Sequence, residues 1–530
     1  MAQGSMNWKQ ALAQAGCYDF LLPRARAAAE EAVSRSLPLG DTDFVGDEAR
    51  ESFAQVCLSR LRTIHEMPLV RLALQRLRAK GNLGSSLFGG SSAEDMLAVA
   101  GEVRAELLAC GGASLYAELP QLEAGCEAVL RNCTDALAEL LERLLAQREE
   151  VSTRLLGGRP ITRLLGVFGS GGDPHRHGRI VLRVATDAGA FFYKPHDCSL
   201  DVLFEELTEG LFQDSVRAAR IVPGAGYAFV EELAPVALVG EGELAAYWRA
   251  LGRATALFHA LGSRDMTYDN LMCCGMRPGV LDLETLLTGE MALVRDMDLR
   301  PNLPEDAPES DLGTSAICTA VLPVKVGAQW VSPLLVDNRA GTCLPRVDGV
   351  ARTVAGFEDE FVAGFEEGYQ RLVAHAGEVR ALLERHGSAT CRQILLNTQA
   401  YTQAVGRVFS PGALADEQQR AAVLRDLAAG YCAFAGPVGD AVAPHDAAAL
   451  AEADVPYYCS RMDSRELFAN DADGSGAPLG QLLARSALEV AQARLANLGE
   501  DDLRYEVELI RSCLGAVSRP KAGASGQGDS

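Results

Sequence analysis

The sequence predicts an α+β protein in which a small, sheet-containing core lies between two extensive helical regions. Apolar residues recur at helical spacing along most of 20–155, and helical spacing returns after Phe357. Between about residues 162 and 195 the pattern changes to the short apolar runs typical of strands. Ala, Leu, Glu and Arg dominate the composition, which favours helix.

The first predicted region, residues 1–155, is helical. Its apolar periodicity predicts helices over Glu48–Lys80, Ala93–Cys110 and Leu119–Leu155. A Gly/Ser-rich turn at 81–86 separates the first two.

The central region, residues 156–300, contains the predicted strands. Leu164–Phe168, Arg179–Thr186 and Ala190–Tyr193 read as a small antiparallel sheet, with Asp187-Ala188-Gly189 as the turn of a hairpin. A further strand is predicted over Tyr227–Glu232. Residues 301–518 form a predicted helical C-terminal region, and 519–530 a disordered tail.

The central region ends with a helix and an apolar run. Leu244–Leu261 has helical spacing, and a turn-rich stretch leads from it to the run Gly279–Leu287, which predicts a short strand. Arg300–Leu312 is rich in Pro, Asp and Glu and predicts a solvated loop.

Composition excludes several classes of protein. A net charge of −22 argues against nucleic-acid binding, which needs a basic surface. No stretch of about 20 residues is free of charge, and the N-terminus lacks the long apolar run of a secretory signal, so a cytoplasmic protein without a membrane span is expected. The fourteen cysteines include no C-x-x-C pair, which predicts free thiols and no zinc.

Four features follow one another in the order found in protein kinases. They are the turn Gly169-Ser170-Gly171-Gly172, Lys194 at the end of a predicted strand, Asp265 followed five residues later by Asn270, and Asp282 in the apolar run. Phosphoryl transfer needs a Gly-rich turn and a Lys near the phosphates, an Asp that orients the nucleophile, and an Asn and Asp that hold Mg²⁺. ATP and Mg²⁺ are therefore the predicted cofactors.

Each feature alone also has an ordinary structural explanation. A Gly-rich stretch is usually a loop, a Lys after a strand is usually solvated, and an Asp/Asn pair in a turn usually caps backbone groups. Asp282 is more informative, because burial of an unpaired carboxylate is costly. No Walker motif is present. The four features together favour a kinase-like site.

At these positions the sequence resembles the dehydratase domain of the LanM class of lanthipeptide synthetases. The similar segments, spread over residues 90–515, are Gly172-Asp173-Pro174-His175-Arg176-His177-Gly178-Arg179, Tyr193-Lys194-Pro195-His196, Tyr227-Ala228-Phe229-Val230-Glu231, Asp265 through Leu286, Arg392 through Tyr401, and Asp454-Val455-Pro456-Tyr457-Tyr458. Similarity in six separate places makes coincidence improbable.

The resemblance implies a kinase-like core related to lipid kinases and a two-step activity. ATP phosphorylates Ser or Thr of a precursor peptide that carries a leader sequence, and phosphate is then eliminated to leave a dehydroamino acid. The resemblance implies that Lys194, Gly171 and Gly172 contact the phosphates of ATP, and that Asp173 and His175 line the phosphate site. It implies that Asp265 orients or deprotonates the peptide hydroxyl, and that Asn270, Asp282 and Glu284 bind Mg²⁺. Arg392 and Thr398 would serve the elimination step.

The chemistry of elimination agrees with that division. A departing phosphate needs a permanent cation, and Arg clamps phosphate through two hydrogen bonds. Arg392 and Thr398 are six residues apart, which places them on one face of a strand but about 120° apart on a helix, so we expect them to approach from different angles.

Three departures from the family pattern bear on activity. Thr267 stands where the family has His, and a hydroxyl cannot shuttle protons near neutral pH. His196 replaces an Arg, so its contact with phosphate would depend on pH. The LanC-like cyclase domain that follows in the family is not recognisable, which implies a separate cyclase partner or a product without rings.

Three alternatives to the dehydratase stay open. A peptide kinase that stops at phosphorylation would fit Thr267. A non-catalytic subunit that binds the precursor would not need Lys194, Asp265 and Arg392 together. A small-molecule or lipid kinase would leave Arg392 and Thr398 without a purpose.

Overall fold

The structure, a computed structural model, describes residues 6–37, 42–80, 92–291, 302–304, 312–327, 329–396, 398–435, 437–470 and 478–518. The helices are α1 Trp8–Gln14, α2 Leu22–Ser36, α3 Asp47–Ala79, α4 Ala93–Cys110, α5 Ala113–Glu118, α6 Pro120–Leu155, α7 Ser199–Leu207, α8 Gly240–Leu261, α9 Glu358–Arg385, α10 Thr398–Val408, α11 Glu417–Ala435, α12 Pro437–Ala451, α13 Ala487–Asn497 and α14 Glu500–Ser518.

The strands are β1 Leu164–Gly169, β2 Leu182–Thr186, β3 Gly189–Lys194, β4 Ile221–Gly224, β5 Tyr227–Glu231, β6 Leu271–Cys273, β7 Pro278–Val280, β8 Glu290–Met291, β9 Val324–Val326, β10 Gln329–Val331, β11 Arg346–Val347, β12 Val350–Ala351, β13 Thr390–Arg392, β14 Tyr458–Arg461, β15 Glu466–Ala469, β16 Pro478–Gln481 and β17 Leu483–Arg485.

The chain divides into two compact units. The first contains residues 1–195, 394–457 and 469–471, and the second contains 196–393, 458–468 and 472–530. Both units are therefore assembled from segments far apart in sequence. The four regions predicted from the sequence follow a different criterion, and their limits stay predictions.

The first unit places three antiparallel strands against a long helix. β1 pairs with β2, and β2 pairs with β3 through a two-residue turn at Asp187 and Ala188. The Oγ atom of Ser52 in α3 accepts a hydrogen bond of 2.9 Å from the backbone N–H of Val167 in β1. This contact fastens the strand preceding the Gly-rich turn to the helical part of the unit.

The helices predicted for the first region are confirmed within a few residues. The start of α4 is set by Ser92, whose side chain accepts a hydrogen bond from the backbone N–H of Asp95, and its end by Gly111 at φ +61°. The predicted strand Arg179–Thr186 is shorter, because β2 begins at Leu182. Residues 179–181 instead connect β2 to the tight turn that precedes it.

The second unit is organised around two helices in very close contact. A Cβ atom at Gly252 of α8 would lie 2.1 Å from the carbonyl oxygen of Phe361, and one at Gly364 of α9 would lie 2.0 Å from that of Arg249. Only glycine permits this approach of the two backbones. The surrounding core buries Trp248 completely. α8 thus forms a rigid base for the loop that follows it.

Two predictions in the second unit need correction. Gly279–Leu287 is not one strand: β7 ends at Val280, and Asp282 lies in the turn-rich loop after it. The segment after Phe357 also contains strands that its helical pattern hid, since β13, β14, β15 and β16 form a four-stranded sheet. Short apolar runs do not distinguish a strand from buried helix by periodicity alone.

The predicted class, helices combined with small antiparallel sheets, is confirmed by these elements. The kinase-like relationship of the core stays a prediction. Most of the predicted loop Arg300–Leu312 and all of the predicted tail Arg519–Ser530 lie outside the described residues. Within the part of the chain that the structure describes, no helix is long and apolar enough to cross a membrane.

Candidate functional site

The loop after α8 carries Asp265 in a constrained conformation. Asp265 has φ +63°, a left-handed conformation that residues other than glycine seldom adopt. The backbone beside it is fastened twice, because Arg264 N–H donates to the Thr285 carbonyl at 3.1 Å and Thr285 Oγ1 donates to the Arg264 carbonyl at 2.7 Å. Backbone strain of this kind persists only when the surroundings enforce it and is common at functional sites.

A β-hairpin brings Asn270 and Asp282 to one place. β6 pairs with β7 so that Leu271 lies opposite Val280, and the backbone N–H of Leu281 donates to the Asn270 carbonyl at 2.9 Å. Asn270 immediately precedes the hairpin and Asp282 follows it, so both stand at its open end. Asn270 Nδ2 also donates to Asp265, to the carbonyl at 2.8 Å and to Oδ2 at 3.2 Å.

The carboxyl group of Asp265 has a strongly shifted pKa. Desolvation of its carboxyl group and the negative charges of Asp282 and Glu284 together raise the pKa of Asp265 to about 6, against the opposing effects of Arg392 and of the hydrogen bond from Asn270. Like charges close together disfavour ionisation of one of them. Asp265 is therefore a carboxylate that accepts a proton near neutral pH, as a general base requires.

Arg392 is held against the same carboxylates from another direction. Its Nη1 donates to both oxygens of Glu284, at 3.2 and 3.0 Å, and its backbone N–H donates to the Glu284 carbonyl at 3.0 Å. His196 is buried with its Nε2 3.9 Å from Glu284 Oε1. The second unit thus brings together five residues that the sequence singled out, namely Asp265, Asn270, Asp282, Glu284 and Arg392.

The donor atoms of this site suit a hard divalent cation. Asn270 uses its Nδ2 for Asp265, which leaves the amide oxygen for a ligand. Asp282 supplies a carboxylate close enough to Asp265 to raise its pKa. Amide and carboxylate oxygens are what Mg²⁺ prefers. The residues present therefore fit Mg²⁺, which Asn270 and Asp282 would hold.

Other residues singled out by the sequence lie in the first unit. Lys194 ends β3 and is only 5% exposed. Gly171 has φ +88° and, like Gly172, is exposed in the turn after β1. Asp173 is half-buried, and Thr398 is the exposed first residue of α10. The roles predicted for these residues stay predictions.

His175 begins a tight turn that is bound to a distant segment of the first unit. Its Nδ1 is 2.7 Å from the carbonyl oxygen of Val455, and its ring packs edge-on against Tyr457 at 5.4 Å between centroids. The backbone N–H of Val455 donates to the Pro174 carbonyl at 2.8 Å. These contacts orient the His175 imidazole.

The next three residues of the turn are left-handed in succession: Arg176 at φ +50°, His177 at +64° and Gly178 at +79°. Asp454 holds this conformation, because its Oδ2 accepts a hydrogen bond of 2.7 Å from the backbone N–H of Gly178. Its Oδ1 accepts one of 2.8 Å from Arg60 of α3, and both side chains of this pair are nearly inaccessible to solvent.

A comparison with known protein families finds a match that covers these segments. The sequence matches the family described as a domain of unknown function, DUF4135, over residues 119–337 and 331–461, which is more than half of the chain. The chain belongs to the DUF4135 family. The match includes the Asp265 loop, the hairpin that follows it, and Asp454.

A named relative adds a biological context. The lacticin 481/lactococcin biosynthesis protein LcnDR2 of Lactococcus lactis subsp. lactis is 20% identical to this DUF4135 chain over 398 residues. The matched part is 64% of this chain and 40% of the relative, so the chain spans well under half of that protein's length.

The sequence of this DUF4135 protein did not reveal how its turn at 173–179 is held. The sequence marks Asp454 only as part of a segment similar to the LanM family, and no motif marks Arg60 or Glu452. Glu452 accepts from His177 Nδ1 at 2.7 Å. Arg60 lies 394 residues from Asp454, in the long helix α3. The sequence around Arg60 does not distinguish it from a solvent-exposed Arg. Its role can be recognised only from its burial in the folded protein.

Proposed function

We propose that this protein dehydrates Ser and Thr residues of a precursor peptide in lanthipeptide biosynthesis, by ATP-dependent phosphorylation followed by elimination of phosphate. The observation that carries the proposal is the cluster in the second unit, where a proton-accepting Asp265 lies beside Asn270, Asp282 and the Glu284–Arg392 pair. The name of the relative LcnDR2 supports the biosynthetic context. The partner is a leader-bearing precursor peptide, with a separate cyclase if rings form.

In the first step Asp265 acts on the peptide hydroxyl. The hydroxyl oxygen attacks the γ-phosphorus of ATP, the bond from that phosphorus to the bridging oxygen of ADP breaks, and the hydroxyl proton passes to the Asp265 carboxylate. A pKa of about 6 leaves most of Asp265 ionised at neutral pH yet basic enough to accept the proton. General-base catalysis contributes about 10²–10⁴-fold to rate.

Mg²⁺, held by Asn270 and Asp282 with Glu284 nearby, would neutralise charge that develops on the transferred phosphoryl group. Asn270 has a second task, because its Nδ2 fixes the carboxylate of Asp265 at 3.2 Å. Lys194, Gly171 and Gly172 are proposed as phosphate contacts, and Asp173 and His175 as the lining of the phosphate site.

In the second step a base removes the Cα proton of the phosphorylated residue. The electron pair of that C–H bond forms the Cα=Cβ double bond, the Cβ–O bond breaks, and phosphate leaves with its bonding pair. Arg392 is proposed to stabilise the departing phosphate, with Thr398 assisting. Glu284 orients the guanidinium of Arg392 through two hydrogen bonds from one of its nitrogen atoms.

A kinase that stops at phosphorylation is the second candidate, and one observation favours it. The Arg392 guanidinium is already engaged by Glu284, so its charge is partly neutralised before any phosphate arrives. Thr267, whose carbonyl accepts from Asn270 N–H at 3.0 Å, also supplies no imidazole to the loop. Both features would weaken elimination more than phosphorylation.

The deciding experiment incubates the protein with Mg-ATP and a candidate leader-bearing precursor peptide, followed by mass spectrometry of the peptide. Loss of water from the peptide supports the dehydratase. Gain of phosphate without loss of water supports the kinase. Unchanged peptide that nevertheless binds the protein would overturn both and leave a precursor-binding subunit.

A further inference from the structure

A second group of chemically reactive side chains lies in the second unit, outside the cluster around Asp265. His259 stands in the last turn of α8, and Asp502 and Glu506 stand four residues apart on one face of α14. One nitrogen or oxygen atom from each of the three lies within 4.8 Å of the others. An imidazole and two carboxylates are a common set of ligands for a divalent metal ion.

The imidazole of His259 lacks the hydrogen bonds that a buried histidine normally makes. The residue is 4% exposed, and its Nδ1 has no hydrogen-bond partner within the described ranges. Its Nε2 is 3.7 Å from Asp502 Oδ2, beyond hydrogen-bond distance. Two ligands bonded at 2.0–2.2 Å to one tetrahedral ion lie roughly 3.3–3.6 Å apart, so the observed separation is close to that of two metal ligands.

Both carboxylates are oriented by neighbours, as metal ligands usually are. Tyr369 donates its hydroxyl proton to Asp502 Oδ2 at 2.6 Å and itself accepts from Gly499 N–H at 2.8 Å. Glu506 is 1% exposed, and its Oε2 accepts from Ala316 N–H at 2.9 Å.

We propose that His259, Asp502 and Glu506 bind a divalent cation of the zinc class and thereby link the end of α8 to α14. An adjoining cavity of about 140 Å³, lined by His259 and Asp502 among others, gives room for a water as the remaining ligand. The cysteine spacing predicted no zinc site. That prediction concerned cysteine ligands, and this site contains none. The proposal is independent of the proposed function.

A neighbouring positive charge limits the affinity of this site for a cation. The Arg494 guanidinium donates to the carbonyl oxygens of His259 at 3.0 Å and Thr314 at 2.9 Å, which places a permanent cation beside the site. We therefore expect weaker binding than at a structural zinc site with four protein ligands. The mixed nitrogen and oxygen donors favour Zn²⁺ over Mg²⁺, which prefers oxygen ligands.

The test titrates the full chain, stripped of metal by a chelator, with Zn²⁺ alone and with Mg²⁺ alone. We expect wild type to bind Zn²⁺ at the site, with Glu506→Gln and His259→Asn about ten-fold weaker or worse. Glu508→Gln, an exposed acid on the same helix, is the matched control and should bind like wild type. Metal-free melting curves of all variants establish that each one is folded.

Cobalt substitution of the unaltered chain separates this site from the cysteines without any variant. Co²⁺ bound by nitrogen and oxygen gives visible d–d bands, whereas cysteine ligation adds an intense near-ultraviolet charge-transfer band. Visible bands without the charge-transfer band support the proposal. Thiolate ligation alone, no binding by wild type, or equal binding by Glu506→Gln would each overturn it.

Discussion

Glu284 holds Arg392 by a two-oxygen ion pair, with Nη1 of the guanidinium 3.0 and 3.2 Å from the carboxylate oxygens. The pair is only 10% exposed on the Glu284 side, and it places one permanent cation beside the carboxylates of Asp265 and Asp282. Without that cation, ionisation of Asp265 would be still less favourable. The pair therefore balances the charge of the site as well as orienting Arg392.

Arg392→Ala should leave phosphorylation measurable and block elimination, because a neutral side chain cannot stabilise departing phosphate. Phosphopeptide should then accumulate, with dehydration reduced by about 10²-fold or more. Mass spectrometry of the precursor peptide distinguishes phosphate addition from water loss. Arg461→Ala, in the neighbouring strand β14 and half-exposed, is the matched control. Undiminished dehydration by Arg392→Ala would contradict its assignment.

Asp282→Asn should abolish phosphate transfer, since removal of its charge weakens the proposed Mg²⁺ site. We expect a loss of about 10²-fold or more in the rate of phosphopeptide formation from ATP. Asp269→Asn removes an exposed carboxylate from the same turn-rich stretch and serves as the control. If both variants lost activity equally, the effect would be one of general charge and not of metal binding.

Phosphorylation should depend on pH through Asp265. Its pKa is raised to about 6, so the carboxylate form declines as the pH falls through 6 and the rate should decline with it. A pH–rate profile measured at saturating ATP gives the apparent pKa. A rate that stayed constant down to pH 5 would contradict this prediction.

Asp265→Asn should stabilise the protein while it inactivates it. A carboxyl whose pKa is raised from 3.8 in the unfolded chain to about 6 in the fold favours the folded state below pH 3.8, and that contribution is lost as the pH rises through 6. At pH 7.5 the amide removes the penalty, worth on the order of 1 kcal/mol after allowance for solvent screening. Thermal unfolding at pH 7.5 and at pH 4.5 tests this, since the gain should shrink at the lower pH.

The buried Arg60–Asp454 pair should be essential to the turn at 173–179. Asp454→Ala leaves Arg60 buried and unpaired and should cost about 3–5 kcal/mol of unfolding free energy. Arg71→Ala, exposed on the same helix α3, should cost less than about 0.5 kcal/mol. Urea unfolding measures both.

Hydrogen exchange then localises the effect of Asp454→Ala. The amide of Gly178 donates to Asp454 in the native turn and should lose its protection in the variant. Unchanged protection at residues 174–179 would show that the turn holds without this carboxylate.

The sequence by itself determined the class of the fold and most of the residues of the candidate site. Helical periodicity predicted α3, α4 and α6 within a few residues of their observed ends. The spacing of Asp265 and Asn270 predicted that their loop belongs to the site, and in the structure Asn270 donates a hydrogen bond to Asp265. These features are local, because hydrogen bonds along a helix or within a turn join residues close in sequence.

Only the tertiary structure decided which distant residues meet. In the folded chain Glu284 pairs with Arg392, 108 residues away, and Asp454 accepts a hydrogen bond from Gly178, 276 residues away. His259 lies beside Asp502 and Glu506 of α14, more than 240 residues away. The tertiary structure also moved Asp282 from a predicted strand into a loop and revealed the strands after Phe357. Such contacts depend on burial and charge compensation across the folded chain, for which a one-dimensional pattern carries no signal.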